Sequence, residues 1–246
     1  MVVTEIFRSI QGEGTRAGLP CVFVRLTGCN LRCVWCDTAY AFHGGDKKTL
    51  EEVMDAVRAL AASPAGNGDT PARVPARAID LVEITGGEPL LQPEVVPLAA
   101  QLLAEGYTVM IETSGERFVG ALPHEVIKIV DVKCPDSGEY GKFEKRNLDA
   151  VDSKDEIKFV IGTRQDYDWT KQTIAGHKLD TICPLLVSWV HPLLPEQQDK
   201  SLKKVPPGQT PISRRELAER IIADALPVRF QVQMHKVIWP PEQRGV

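Results

Sequence analysis

Seven short apolar segments, separated by helical patterns, constrain the fold of this 246-residue chain more than any other feature of its sequence. Strands that alternate with helices along a chain pair as parallel βα units. The early strands lack convincing helices between them, which argues against a complete barrel of eight units. We therefore predict an α/β fold of one domain, an open, partial (β/α) barrel over residues 1–246. The predicted strands are residues 20–27, 79–85, 107–112, 126–132, 156–161, 182–189 and 228–233.

Helical patterns and one loop pattern lie between these strands. Thr49 is a predicted N-cap and has Glu52 three residues later, which is the spacing of a capping box. The stretch 63–77 is rich in Pro, Ala and Gly, so we expect a surface loop there. The predicted helices are residues 49–62, 93–105, about 165–175 and 213–225.

The segments that follow the predicted strands carry unusual residue types. In parallel (β/α) barrels the C-terminal ends of the strands meet at one face, and active sites lie there. We therefore expect these segments to share one site. They are residues 28–38, Gly86-Gly87-Glu88, Glu112-Thr113, Asp131 with Lys133, and Met234-His235-Lys236.

The first of these segments contains Cys29, Cys33 and Cys36 in a Cys-x3-Cys-x2-Cys spacing, with no fourth cysteine nearby. A cubane iron–sulfur cluster is held by cysteine thiolates, one to each iron. Three thiolates would leave one iron without a protein ligand, open to bind and reduce a small molecule. The spacing therefore favours a redox-active cluster.

Zinc is the main alternative for the same cysteines. His43 lies soon after Cys36 and could complete a Cys3His set, which would make the chain a non-catalytic zinc-binding module. However, the sequence lacks the second Cys/His pair that zinc modules usually carry.

Composition narrows the class of protein further. The chain has 29 Lys and Arg against 33 Asp and Glu, a net charge of −4, and no basic run, so it carries no electrostatic footprint for nucleic acid. No signal peptide is apparent, and no apolar run has the length of a membrane span. Clustered cysteines indicate a reducing compartment. We expect a soluble, cytoplasmic enzyme.

Two motifs together resemble a known superfamily. The loop of three cysteines, with Trp35 before the last of them, is similar to the cluster loop of radical S-adenosylmethionine (SAM) enzymes, and Gly86-Gly87-Glu88-Pro89 resembles their SAM-binding turn. The resemblance implies a [4Fe-4S] cluster whose fourth iron is chelated by SAM. One electron from the cluster would then cleave SAM to a 5′-deoxyadenosyl radical. The protein's part would be binding, orientation and shielding.

Five motifs narrow the resemblance: Gln11-Gly12-Glu13-Gly14, Cys36-Asp37-Thr38, residues 84–89, residues 111–115 and Met234-His235-Lys236. Together they resemble the family that converts 6-carboxy-5,6,7,8-tetrahydropterin to 7-carboxy-7-deazaguanine by radical ring contraction with loss of ammonia, on the route to queuosine. The resemblance implies Mg2+, an external one-electron reductant, a homodimer, and no nucleic-acid or membrane partner. A glycyl-radical-enzyme activase, acting on a partner protein, is the alternative within the same chemistry.

The resemblance also implies site residues, with no catalytic residue beyond the cluster and SAM. Cys29, Cys33 and Cys36 would bind the cluster, and Thr38 would bind Mg2+. The SAM-binding residues would be Trp35, Cys36, Asp37, Gly87, Glu112, Ser114, Asp131, Val132, Lys133, Ser188, Trp189, Val190 and His191. The substrate-binding residues would be Ile10, Gln11, Gly12, Glu13, Arg25, Thr85 and His235.

Three of these assignments have structural alternatives. Thr38 is either a Mg2+ ligand or a residue that simply caps its loop. Arg25 is the one charge in a buried strand and needs an anion, which is either a ligand carboxylate or a structural salt bridge. His235 is either a substrate-closing residue, within a closing segment of about residues 228–246, or a buried core histidine. The sequence departs from the family pattern at Asp131-Val132 and at residues 188–191.

Overall fold

A computed structural model describes residues 1–63, 77–240 and 242–246. All but the two ends of the predicted loop 63–77 lies outside the described residues. None of the helices in the described ranges is both long and apolar enough to cross a bilayer.

The described residues form a sheet with helices packed against it. The strands are β1 Val2–Ile10, β2 Pro20–Leu26, β3 Asp46–Lys47, β4 Leu81–Gly86, β5 Thr108–Thr113, β6 Ile127–Asp131, β7 Glu156–Ile161, β8 Leu185–Trp189 and β9 Arg229–Gln231. The helices are α1 Leu50–Ala61, α2 Val95–Ala104, α3 Asn147–Ala150, α4 Arg164–His177, α5 Arg214–Ala223 and α6 His235–Ile238.

The strand order is β3-β1-β2-β4-β5-β6-β7-β8-β9. The seven strands β2, β4, β5, β6, β7, β8 and β9 pair in parallel with their neighbours in this order. Strand β1 pairs antiparallel with both β2 and β3. All seven predicted strands are therefore confirmed as the parallel part of the sheet. The two ends of the sheet, β3 and β9, are not hydrogen-bonded to each other, so the open, partial barrel is confirmed.

Local sequence signals explain the helix boundaries. Thr49 and Glu52 form the predicted capping box at the start of α1, and the buried residues Val53, Met54 and Val57 turn that helix towards the sheet. Ser213 caps α5 in the same way, with its side chain accepting from the backbone of Glu216.

Two apolar layers lie on the two faces of the sheet. The larger one packs between the sheet and the helices. The smaller one lies inside the curve of the sheet and contains Cys21, Phe23, Leu81, Met110, Ile127 and Ile129. Because side chains alternate along a strand, the next inward-facing residues towards the C-terminal ends lie above this small layer. Those residues include Glu112 and Lys158, and Glu83 stands level with Phe23 and Met110 at the top of the layer, so the interior changes from apolar to charged.

The open side of the barrel is spanned by two segments. The loop after β1 reaches across to the far strands, because Gly14 donates its backbone N–H to Gln231 of β9 at 2.6 Å. The segment after β9 returns, since Met234 donates to the carbonyl of Gly12 at 3.0 Å and Lys236 pairs with Asp37. The chain therefore encloses a cavity that the sheet alone leaves open.

Candidate active site

One cavity lies at the C-terminal ends of the parallel strands, as the strand-end motifs predict. Its wall is made by the loop after β2, the turns after β4 and β5, the segments after β6 and β8, and the segment after β9. The loop after β1 also enters the cavity. It does so from the other side, because β1 is antiparallel and ends next to the N-terminal end of β2.

Three free thiols line this cavity, from Cys29, Cys33 and Cys36. The segment after β6 holds the cysteine loop in place through two hydrogen bonds. Val34 donates its backbone N–H to the carbonyl of Ser137 at 2.9 Å, and Arg32 donates its backbone N–H to the buried Glu139 carboxylate at 2.6 Å. Within the described ranges, no three Cys, His, Asp or Glu side chains are grouped around a single ion position. His43, the fourth ligand that a zinc site would need, is exposed and lies outside the cavity wall.

Burial controls the ionisation of these thiols. Burial raises the pKa of Cys36 to about 11, and the neighbouring Asp37 carboxylate adds to the effect. Burial also raises the pKa of Cys29 and of Cys33. A thiol with such a pKa is protonated near neutral pH, and a bound metal is what converts it to the thiolate.

The turn after β4 is pressed against the cysteine loop. A Cβ on Gly87 would lie 2.7 Å from Cys29 Cβ and would collide with the carbonyl of Gly28, so only glycine fits there. Gly86 has a φ of 147°, which favours glycine. Glu88 then donates its backbone N–H to Gly28 at 2.8 Å. The glycine turn therefore brings the main chain after β4 directly against the cysteine loop, and its predicted contact with SAM stays a prediction.

The buried carboxylate of Glu88 joins the ends of β4 and β5. It accepts from Thr113 Oγ1 at 2.8 Å, from Ser114 Oγ at 2.6 Å and from Leu90 N at 3.0 Å. Ser114 lines the cavity, and its hydroxyl is already engaged by Glu88.

The floor of the cavity contains a network of charged side chains around Lys158, which is almost fully buried. Its Nζ lies 2.6 Å from Glu13 and 2.8 Å from Glu112. Burial alone would lower the pKa of Lys158, but these carboxylates outweigh burial and raise it. Nearby, Lys133 Nζ bonds Asp131 at 2.7 Å. The floor is therefore held by ion pairs before any ligand binds.

The segment after β9 closes the side of the cavity. Lys236 pairs with Asp37, directly beside Cys36; burial alone would raise the pKa of Asp37, but Lys236 outweighs it and lowers the pKa. His235 lies against Gly12, where a Cβ would come 2.5 Å from Nδ1, and burial lowers the pKa of His235. His235 is thus in the cavity wall and not in the apolar core.

Arg25 makes the structural salt bridge that is one of its two predicted roles, and it also faces the cavity, where the other role would place a ligand carboxylate. Its Nε donates to Glu5 of β1 at 2.8 Å, and Tyr40 donates to the same oxygen at 2.8 Å. Arg25 also lines the cavity, so its remaining N–H groups are available to a ligand anion.

Most predicted site residues come together around this cavity. They are Ile10, Gln11, Gly12, Glu13, Arg25, Cys29, Cys33, Trp35, Cys36, Asp37, Thr38, Thr85, Gly87, Glu112, Ser114, Asp131, Lys133, Val190, His191 and His235.

The side chains of Val132, Ser188 and Trp189 do not line it. Successive side chains of a strand point to opposite faces of the sheet. Asp131 and Lys133 point into the cavity, so Val132 between them points into the core beneath the helices. Ser188 Oγ accepts from Gln231 at 2.8 Å, and Trp189 donates to the carbonyl of Ile212 at 2.7 Å.

Sequence reasoning assigned no role to several wall residues, chiefly Glu83, Lys158 and Gln233. Glu83 is the one charge in β4, and Lys158 stands between the apolar residues Ile157 and Phe159 of β7. A charged residue in such a strand is rarely buried without a partner or a function, and that signal could have identified both.

Comparison with known proteins places this geometry in a class. The family model of the radical SAM superfamily matches residues 23–202, a range that includes the cysteine loop and the glycine turn. The chain therefore belongs to the radical SAM superfamily. Two solved structures share the fold: QueE from Escherichia coli (TM-score 0.67, 23% identity, 95% of this chain and 94% of that chain) and SuiB from Streptococcus suis bound to S-adenosylmethionine (TM-score 0.55, 12% identity, 85% and 51%).

Full-length relatives define the family more closely. Proteins named 7-carboxy-7-deazaguanine synthase from Koribacter versatilis and Chlorobaculum tepidum are 44% and 37% identical to it, over 100% and 99% of this chain and 100% and 96% of theirs. A protein of the same name from Methanospirillum hungatei is 36% identical over 98% of this chain and 86% of its own. The chain belongs to the 7-carboxy-7-deazaguanine synthase family, which favours the predicted ring contraction over the activase and the zinc module.

Proposed function

We propose that this chain converts 6-carboxy-5,6,7,8-tetrahydropterin to 7-carboxy-7-deazaguanine and ammonia, with a [4Fe-4S] cluster, SAM and Mg2+. One observation carries the proposal: the three thiols, the glycine turn, Thr38 and the charged floor all line one cavity. Membership of the 7-carboxy-7-deazaguanine synthase family supports the choice of substrate.

Cys29, Cys33 and Cys36 would hold the cluster, because their thiols are free and line the same cavity. When bound, the cluster and SAM supply a 5′-deoxyadenosyl radical, and the protein contributes the enclosure around it. Lys236, Asp37 and the loop after β1 close the side of the cavity, which limits access of water to a reactive species.

The SAM-binding wall would be the glycine turn and the strand ends around it. Gly87 has no side chain, so its main chain lies close to the cysteine loop and is open to the cavity. The carbonyl groups of this turn could therefore accept hydrogen bonds from the ammonium of SAM. Trp35, Asp37, Glu112, Ser114 and the Asp131–Lys133 pair complete this wall, together with Val190 and His191. Val132, Ser188 and Trp189 could contribute only through their backbone or indirectly.

Thr38 would bind Mg2+ beside the cluster. Its hydroxyl lies 3.6 Å from Cys36 Sγ and lines the cavity, whereas the adjacent carboxylate of Asp37 is engaged by Lys236. Mg2+ keeps several waters and is often held by one or two protein oxygens together with substrate oxygens, so one hydroxyl and a substrate carboxylate are a sufficient anchor.

The substrate would lie between the floor and the segment after β9. Ile10, Gln11, Gly12 and Glu13 offer backbone and carboxylate groups for the edge of a heterocycle, and His235 covers that edge from the other side. Arg25 and Thr85 complete the wall, and Arg25 provides a cation for the substrate carboxylate.

We also propose a cytoplasmic homodimer supplied by an external one-electron reductant. The exposed apolar residues Val232, Val237 and Ile238 beside the edge strand β9 support contact between two copies. Light scattering of the purified protein tests this, and a monomeric mass would contradict it.

Anaerobic assay of reconstituted protein with the carboxypterin, SAM and Mg2+ tests the function. We expect a product with the mass of 7-carboxy-7-deazaguanine and release of ammonia. A brown protein that leaves the pterin unchanged and instead forms a glycyl radical on a partner protein would favour the activase. A colourless protein that binds zinc would contradict the whole proposal.

A further inference from the structure

A carboxyl group that contacts no cation among the described residues lies on the floor of the cavity. Glu83 is on the inner face of β4 and is only 2% exposed. In the register of the sheet it stands between Phe23 of β2 and Met110 of β5, both members of the inner apolar layer. Burial of a carboxyl among apolar side chains is unfavourable unless the group is paired or neutral. Nothing in the proposed function uses it.

Gln11 fixes the orientation of this carboxyl. The Oε1 atom of Gln11 accepts from the backbone N–H of Glu13 at 3.0 Å, and a backbone N–H can only donate. The Gln11 amide is therefore oriented with Nε2 towards Glu83, where it donates to Oε2. Among the described residues, nothing hydrogen-bonds the other oxygen, Oε1, and Glu83 lines the cavity. The carbonyl oxygen is the better acceptor of a protonated carboxyl, so the contact at Oε2 favours a proton on Oε1.

Four charged groups face Glu83: Glu13 from the loop after β1, Arg25 from β2, Glu112 from β5 and Lys158 from β7. The ammonium of Lys158 contacts Glu13 and Glu112, and the Nε of Arg25 contacts Glu5. Neither cation contacts Glu83. Burial, reinforced by the Glu112 and Glu13 carboxylates and opposed by Lys158 and Arg25, raises the pKa of Glu83 well above its usual range.

We propose that Glu83 is a neutral carboxylic acid that donates a hydrogen bond from Oε1 to an acceptor atom of the bound heterocycle. It would thus be a specificity-determining residue of the floor. The identity of the ligand rests on the proposed function, since the ring of a carboxypterin offers a carbonyl oxygen and ring nitrogens as acceptors. A buried donor of this kind selects strongly against an analogue that lacks the matching acceptor, because the donor is then left unpaired.

Infrared difference spectroscopy of the reconstituted protein at pH 7 tests the protonation of Glu83 without any turnover. The comparison uses wild type, Glu83→Gln and, as the matched control, Glu156→Gln, because Glu156 is also fully buried but bonds Thr15 away from the cavity wall. We expect the C=O band of a protonated carboxylic acid in wild type and in Glu156→Gln, and its loss in Glu83→Gln. Loss of carboxylate bands in Glu83→Gln would overturn the proposal.

Equilibrium binding of the carboxypterin to the cluster-loaded protein tests the contact itself. The amide in Glu83→Gln can still donate, so its Kd should stay within about threefold of wild type, whereas Glu83→Leu should weaken binding by about tenfold or more. Equal loss in both variants, or no loss in Glu83→Leu, would overturn the proposal. If wild type fails to bind the pterin, the proposed function is wrong, and the infrared result still decides whether Glu83 is neutral.

Discussion

The proposed cluster-binding end of the cavity and its floor are built in different ways. The first consists of two continuous segments, the cysteine loop and the glycine turn, which pack directly on each other through Gly28 and Gly87. The floor is assembled from side chains that lie far apart in the sequence: Gln11 meets Glu83, and Lys158 meets Glu112, across 72 and 46 residues. Local motifs therefore define the first region, and the topology of the sheet defines the second.

The two regions also differ in what satisfies their polar groups. Burial raises the pKa of the three thiols, and Lys133 only partly offsets it at Cys29 and Cys33, so these groups depend on a metal to become thiolates. The floor is paired within the protein through Lys158. Changes in the first region should therefore remove cofactors and spare the fold, and changes in the floor should do the reverse.

The largest effect is expected from Cys29→Ala. One iron loses its ligand, so we expect loss of the cluster and of all detectable turnover, with an unchanged circular dichroism spectrum. Iron and sulfide analysis after reconstitution measures the effect. The matched control is Cys183→Ala, a buried cysteine outside the cavity, which should keep its cluster. A full cluster in Cys29→Ala would show that this cysteine is not a ligand.

Lys158→Met should mainly affect stability. It leaves the half-buried carboxylates of Glu13 and Glu112 without their buried cation, and breaking an ion pair of this kind costs at most about 3–5 kcal/mol. Urea unfolding of the protein before and after reconstitution measures the loss, and iron analysis should show an intact cluster. An unchanged unfolding midpoint would mean that the floor is not held by these ion pairs.

Gly87→Ala tests the packing between the two segments of the cluster-binding end. The added Cβ collides with Gly28 and Cys29, so the turn must shift away from the cysteine loop and out of its ligand-binding position. We expect SAM to bind about tenfold more weakly, measured by equilibrium dialysis. Gly176→Ala is the control: it has open space in α4 and should leave SAM binding unchanged. Equal SAM affinity in Gly87→Ala and wild type would refute the close approach.

Thr38→Ala should have the smallest effect. Loss of one Mg2+ ligand should raise the Mg2+ concentration for half-maximal activity by about tenfold, because one polar interaction is worth about 1 kcal/mol. The cluster content should stay the same. Thr38→Ser keeps the hydroxyl and should behave like wild type. If Thr38→Ala responds to Mg2+ as wild type does, the hydroxyl is not a ligand.

The same comparison explains which parts of the molecule could be predicted. The parallel strands and the helices α1, α2, α4 and α5 follow from local patterns, because each buries one stripe or run of apolar residues. The cysteine loop and the glycine turn carry their chemistry within a few consecutive residues. For these parts the sequence was sufficient.

The floor and the closing segments required the tertiary structure. The antiparallel strand β1 was not predicted, and its loop crosses the open side of the barrel to meet β7 and β9. Glu83 and Lys158 looked like isolated charges in apolar strands, and only the sheet register brings them to one floor. The ion pair of Lys236 with Asp37 likewise depends on where the chain returns after β9.

The central claim is that three thiolates hold a cluster with one iron free for SAM. Electron paramagnetic resonance of the reduced, reconstituted protein, with and without SAM, tests it most directly. The account requires about four iron and four sulfide per chain and a cluster signal that changes when SAM is added. A signal that is indifferent to SAM, or a single metal ion per chain, would contradict it.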